Sequence, residues 1–166
     1  MNQDNVLIIG TTMLDETSAA AQASPRLRRN RNFHPSDDFP CHRLLNAIEP
    51  ASYVAPHRHL DSRKDETMLV LRGRLGLVIF DDDGGVLRVV ELGAGGGDFG
   101  VDIPHGQWHS VVGLESGTVF FETKAGPYVP LTQEERALWA PGEGEAAAVG
   151  YLEKLRALFV SPGSVS

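Results

Sequence analysis

Three histidines and one glutamate stand at spacings that suit a metal centre. His57 and His59 are two residues apart, so on an extended strand both imidazoles project from one face. Glu66 opens an apolar run ending at Gly73; if that run pairs with the histidine segment, its carboxylate sits opposite the imidazole nitrogens. The stretch Pro104-His105-Gly106-Gln107-Trp108-His109 reads as a tight turn that delivers His109 onto the next strand. Three neutral imidazoles and a carboxylate suit Fe(II), Mn(II), Ni(II), Zn(II) or Cu(II), with one or two positions left for water or a ligand. A His-x-His pair alone is common and Pro-x-Gly is an ordinary turn. Their ordered conjunction with Glu66 on a β-rich chain carries the reading.

Other residues could work beside that centre. His34, in Asn32-Phe33-His34, is a candidate acid, base or ligand contact if its segment folds over the metal mouth. Arg26, Arg28, Arg29 and Arg31 cluster in one basic stretch. Arg26 and Arg28 are candidate clamps for a phosphate or carboxylate, set against the plainer reading of a solvated face paired with the chain's acids. Glu122 interrupts the apolar Phe120-Phe121 run; facing the lumen it is a candidate base, facing outward an ordinary edge residue. His105 reads as exposed on its turn, and nothing in the sequence ties His42 to the metal. Trp108 and Tyr53 read as packing residues.

The elements that must position these groups are short. Residues 11–24 read as an amphipathic helix, with Thr12 as a possible cap and Pro25 closing it. Residues 25–38 read as an irregular basic stretch. From about Arg43 to Lys124 the pattern is β-like: runs at 43–49, 67–72, 75–80, 86–92, 99–103, 108–112 and 118–123, separated by Gly, Pro and Asp. Asp81-Asp82-Asp83-Gly84-Gly85 marks a hairpin between two of them. Without long helices between runs, this is an antiparallel sandwich or barrel rather than a parallel sheet. The tail reads as helical, with a Thr132/Glu135 capping box before 133–139 and an apolar stripe (Ala148, Tyr151, Leu152, Leu155, Leu158) in 145–159. The glycines at 93–97 lack the following Lys-Ser/Thr of a phosphate loop and read as a β-turn. The expected organisation is one structural domain: an N-terminal helix and arm at 1–42, a barrel at 43–128 and a helical tail at 129–166.

Composition narrows the function classes. The 166 residues are 42% hydrophobic and 22% charged, ordinary for a globular chain that can bury a core. A formal net charge of -7 argues against a nucleic-acid surface. No apolar run approaches membrane-spanning length, and the first ten residues lack the basic flank of a signal peptide. The single Cys41 cannot form an internal disulfide, so a reducing, cytoplasmic setting is expected.

At the metal-site residues the chain resembles the cupins, whose fold is a double-stranded β-helix of two facing antiparallel sheets. His57, His59, Glu66 and Gly73 match the family's first motif; Pro104, Gly106 and His109 match its second. Ala51 stands where the first motif has Gly, six residues rather than three or four separate His59 from Glu66, Gly97 comes one residue early, and Gly113 replaces the terminal Asn. Asp61 and Asp65 lie in the long gap, but the intact spacing from Glu66 to Gly73 assigns the carboxylate ligand to Glu66. Ser24-Pro25-Arg26-Leu27-Arg28, Asn32-Phe33-His34, Arg43-Leu44-Leu45-Asn46, Pro56-His57-Arg58-His59, Val70-Leu71-Arg72-Gly73 and Gly126-Pro127-Tyr128 together look like the WbuC-type cupins. That resemblance implies an all-β cupin barrel with short flanking helices and one divalent transition metal (Fe, Mn, Ni or Zn) on His57, His59, Glu66 and His109. It also implies a two-fold homodimer and an association with surface-polysaccharide synthesis, but no settled reaction.

Three functions fit. One is a metal-dependent isomerase, epimerase, hydrolase or oxygenase acting on a small polar molecule such as a sugar or sugar-derived acid, with the metal as Lewis acid. Another is a non-catalytic module that binds an anionic sugar or metabolite through metal and arginines. The last is a metal-free epimerase with a His–Asp pair, against which the four-ligand pattern speaks.

Overall fold

Apolar alternation broken by Gly and Asp turns produces eight strands among the described residues, 5–160 of a computed structural model. Residues 1–4 and 161–166, the ends of the expected N- and C-terminal segments, lie outside the described residues. The strands are β1 (Arg28–Asn32), β2 (Cys41–Ile48), β3 (Glu66–Arg72), β4 (Arg74–Phe80), β5 (Val86–Gly93), β6 (Gly100–Ile103), β7 (Trp108–Gly113) and β8 (Thr118–Ala125). They form two antiparallel sheets, ordered β1-β2-β8-β3-β6 and β5-β4-β7. Two helices flank them, α1 (Thr11–Gln22) and α2 (Ala148–Ala157). This is the antiparallel jelly-roll barrel with short terminal helices that the sequence predicts.

Side chains alternate along each strand, so each sheet has an inner and an outer face. Ile48, Met68, Val70, Leu75, Leu77, Val111 and Phe120 fill the closed part of the space between the sheets. The outer faces are also apolar, and each is covered by a helix. On one, α1 lays Met13, Leu14 and Ala21 over Leu45, Ala47 and Val119. On the other, Ala148, Leu152 and Leu155 of α2 cover Val78, Phe80, Trp108 and Val112. Burying a side chain such as Leu45, which is fully enclosed, contributes about 1.5–3 kcal/mol.

Four local readings change. The basic stretch 25–38 is not wholly irregular, because Arg28–Asn32 joins the sheet as edge strand β1. Its polar RRNRN sequence hides the strand; the inner face of β1 borders a polar cavity instead of the core. Helix α1 starts after Gly10 without a side-chain cap, so Thr12 does not cap it. The expected helix at 133–139 is only a 3-10 turn, Gln133–Glu135, although its Thr132/Glu135 capping box forms. Beyond it the backbone extends to pair with 56–58: Ala137 N–H donates to Pro56 O, and Arg58 N–H to Glu135 O. Of the stripe predicted on the C-terminal helix, Leu158 is exposed.

Glu49 ties the N-terminal helix to the far end of the barrel. Its buried carboxylate accepts from Ser116 Oγ (2.6 Å), Gly117 N (2.9 Å) and Gln22 Nε2 (3.3 Å). Burial works to raise this carboxyl, but the three donors outweigh it and lower it below the usual range. A depressed folded-state value contributes stability above the unfolded carboxyl's pKa of about 4.3, and that contribution is lost as pH falls through the folded value. Glu49→Gln should therefore lower the unfolding free energy by about 1–3 kcal/mol near neutrality. In urea titrations the gap to the parent protein should close as the pH drops below about 4.

Candidate metal centre

The same alternation brings the chemistry together at one end of the barrel. Glu66 heads β3 with its side chain inward, and register places Lys124 of β8 beside it and His42 of β2 beyond. His109, second residue of β7, points into the same space. His57 belongs to no regular strand. It exchanges two backbone hydrogen bonds with His109 (3.0 and 2.9 Å) and bridges to Arg136 on its other side. That short bridge, rather than the full strand expected, holds the first histidine. Gly106 adopts a positive φ of 80° in the turn before His109, and its N–H donates to His59 O, anchoring the second.

One atom each from His57, Glu66 and His109 lie within 4.8 Å of one another. The Nδ1 of His57 lies 3.0 Å from Ala55 O and that of His109 lies 3.0 Å from Gln107 O. A carbonyl only accepts, so both Nδ1 atoms carry the proton and both Nε2 atoms present lone pairs. His109 Nε2 and Glu66 Oε2 are 3.0 Å apart but misaligned, and both are buried without a hydrogen-bond partner. Buried unpaired polar atoms are costly, and a cation between them would satisfy both. On this test the residues fit a metal. His59 is not in the close group: its Nε2 faces the other carboxylate oxygen, Glu66 Oε1, at 3.1 Å.

Charge in the site converges on Glu66. Lys124 Nζ donates to Glu66 Oε1 (2.6 Å) and pairs with Glu122 Oε1 (2.8 Å); Asn46 Nδ2 donates to Glu122 Oε2 (2.8 Å). Burial alone would raise the Glu66 carboxyl, but the His59 imidazole and the Lys124 charge hold it well below the usual range. Burial also opposes charge on Lys124, but Glu122 and Glu66 outweigh it and raise its pKa. His57 is pushed down to about 3 by burial and by His109, so its imidazole is neutral at physiological pH.

The rivals for the carboxylate role are engaged elsewhere. Asp65 Oδ1 accepts from the backbone N–H of His105 and contacts its Nδ1, while Asp61 binds Arg63. A cavity of about 230 Å³ opens from the metal-site residues across β8, β2 and β1. His34 and Glu122 both line it and both are buried. Arg28 also lines it, but its guanidinium binds Ser52 Oγ, Tyr53 O and Glu143. Arg26 lies outside, likewise bound to Glu143. Among the lining residues that sequence reasoning passed over are His42 and Lys124. His42 stacks on His34 with ring centroids 4.0 Å apart, and Lys124 is the cation of the site. Period-two spacing from Glu122 was the available signal for Lys124.

A family profile described as "Domain of unknown function (DUF6016)" matches residues 9–92. No curated protein matches the chain. Among solved structures, KdgF from a Halomonas species is similar at 17% identity and TM-score 0.48, over 64% of this chain and 84% of that one. A cupin superfamily protein of Desulfitobacterium hafniense is similar at 13% and 0.46, over 59% and 76%. A conserved protein of unknown function from Streptococcus pyogenes reaches TM-score 0.51 at 9% identity, over 78% and 95%. At such identities the likeness is one of fold alone. The two-sheet topology is that of an antiparallel jelly-roll barrel. No helix among the described residues is long and apolar enough to cross a membrane.

The Lys124 network yields a stability test. Lys124→Met leaves the Glu66 and Glu122 carboxylates buried without their shared cation, which should cost about 3–5 kcal/mol in metal-free protein. Denaturant unfolding with a chelator present measures it.

Proposed function

Since the chain belongs to the DUF6016 domain family, whose description assigns no activity, we propose from its site that it is a metal-binding cupin acting on a small polar molecule held in the barrel cavity. The observation that carries this reading is the orphaned pair, Glu66 Oε2 and His109 Nε2, with His57 beside it. His57, Glu66 and His109 would hold one divalent transition ion, and His59 would supply a fourth donor by turning from Glu66 Oε1. Bound there, the ion would act as a Lewis acid on an oxygen of the ligand.

The chain's own groups would do the rest. The backbone carbonyls of Ala55 and Gln107 hold two ligand imidazoles in the tautomer that binds metal. Glu122, oriented by Asn46 and Lys124, is the group placed to hold or move a proton on the ligand, and His34 is a second candidate across the cavity. Arg28 borders the cavity, but it and Arg26 would have to leave Glu143 to clamp an anion. That cost favours hydroxyl recognition within the proposed range of sugars and sugar acids.

The reading extends to assembly. Leu7, Ile8 and Ile9 are consecutive and exposed ahead of α1, and β1, β5, β6 and β7 present sheet edges. Pairing of these elements between two copies would cover both, as expected of a two-fold homodimer.

Two measurements follow. Protein purified without an affinity tag should contain close to one transition-metal ion per chain by elemental analysis. His109→Ala should weaken that binding by about a hundredfold or more, while Asp65→Asn leaves it unchanged; a metal-free protein that also refuses reconstitution sinks the proposal. For assembly, light scattering at micromolar concentration should give twice the chain mass, and removing residues 1–9 should give the monomer. A monomeric parent protein ends the dimer reading without touching the metal one.

A further inference from the structure

The wall of the cavity facing the metal-site residues is built from neutral amides. On β1 the inward positions are Arg28, Asn30 and Asn32, two apart, and all three line the cavity. Asn30 registers with Asn46 on β2, and Leu44 beside Asn32 registers with Glu122 on β8. Asn46 spends one amide hydrogen on Glu122, leaving its carbonyl oxygen and second hydrogen. Among the described residues the side chains of Asn30 and Asn32 have no hydrogen-bond partner. His34 leaves its Nε2 free, since only its Nδ1 contacts the Arg43 backbone.

The formal cations that line the cavity are already engaged by carboxylates. Lys124 is shared between Glu66 and Glu122, and Arg28 is held by Glu143. Asp37 at the rim has no cation partner among the described residues and so opposes a second negative charge. What remains for a ligand is a set of neutral groups that both donate and accept, the chemistry that matches hydroxyls. The volume, about 230 Å³, equals about eight waters at ~30 Å³ each, room for a single ring-sized molecule.

We infer that Asn30, Asn32 and Asn46 form the specificity wall for a neutral polyhydroxylated ligand of monosaccharide size, and that the cavity discriminates against the corresponding acids. This rests on the proposed reading that the cavity is the ligand site. It narrows that reading from sugars and sugar acids to neutral polyols and assigns recognition to amides rather than to the arginine cluster. The hydrogen-bond chain from Asn46 through Glu122 and Lys124 to Glu66 would connect a bound hydroxyl to the metal-site carboxylate.

The test is calorimetric titration of full-length Zn(II)-loaded protein, and of the same protein stripped with chelator. The probes are D-glucose, D-galactose and D-mannose, each against its matched uronate. At least one neutral hexose should bind more tightly than its uronate. Asn30→Leu with Asn32→Leu should weaken that binding about tenfold, as the loss of one or two neutral hydrogen bonds predicts, with zinc content unchanged. Both residues are exposed on an edge strand, so the double variant should melt like the parent; Asn30→Asp, which keeps the side chain's size, gives an independent check and should also weaken the hexose. Tighter binding of a uronate, an unaltered affinity in the asparagine variants, or no binding of any probe overturns the inference. If zinc fails to bind while the hexose still binds stripped protein through the asparagines, the metal reading falls and this one stands. If zinc binds and the uronate wins, the reverse holds.

Discussion

A carboxylate taken almost completely out of water must be answered by charge or by donors, and Glu66 is answered by both. Lys124 and His59 face one oxygen, while His109 lies against the other without making a proper hydrogen bond. Much of the architecture at this end of the barrel follows from that requirement. β8 must lie next to β3 so that Lys124 reaches Glu66, and β2 next to β8 so that Asn46 holds Glu122. The turn at Gly106 must be tight so that His109 enters β7 in register with Ile79 of β4. Three partners meet Glu66 at hydrogen-bond distance, yet one of its oxygens remains unsatisfied. The surplus of lone pairs is what makes the cluster a candidate metal site rather than a closed ion-pair network.

A polar cavity inside a small barrel removes space that an apolar core would otherwise fill. This chain recovers the burial on the outside. Helix α1 and helix α2 each cover an outer sheet face, so β2 and β7 are packed on both sides. All six residues of β7 are buried, including His109 and Ser110. The 3-10 turn and the extended segment after it contribute in another way, by hydrogen bonding the residues around His57. The terminal segments are thus part of the site's support: α1 backs the sheet that carries Asn46 and Lys124, and the chain after β8 braces the first histidine.

The arginine cluster illustrates how a run of charge in a sequence leaves its partners open. Four arginines within six residues fit either an anion clamp or pairing with the chain's own acids. Folded, Arg26 and Arg28 converge on Glu143, which lies more than a hundred residues away, and Arg31 binds Glu16. Such pairs are invisible in sequence because the partner arrives only through the barrel's topology. Asn30, between two of the arginines, and Asn32, just after the last, have no role assigned by the sequence, although alternation on β1 turns them toward the cavity.

Much was legible from one sequence. The period-two runs, the hairpin at Asp81–Gly85 and the two histidine motifs specify an antiparallel barrel, because alternation and turn chemistry are local properties. Asp65, the rival carboxylate in the sequence, is engaged by His105, while Glu66 stands with His57 and His109. Four features were decided only by tertiary structure. They are the pairing of His57 with both His109 and Arg136, the inward turn of Glu122, the lysine between two carboxylates, and the neutralisation of the arginines. Each depends on which strands lie side by side and on which of two faces is closed. A local pattern sets the spacing of side chains along a strand, but only the packed fold determines what stands across from them.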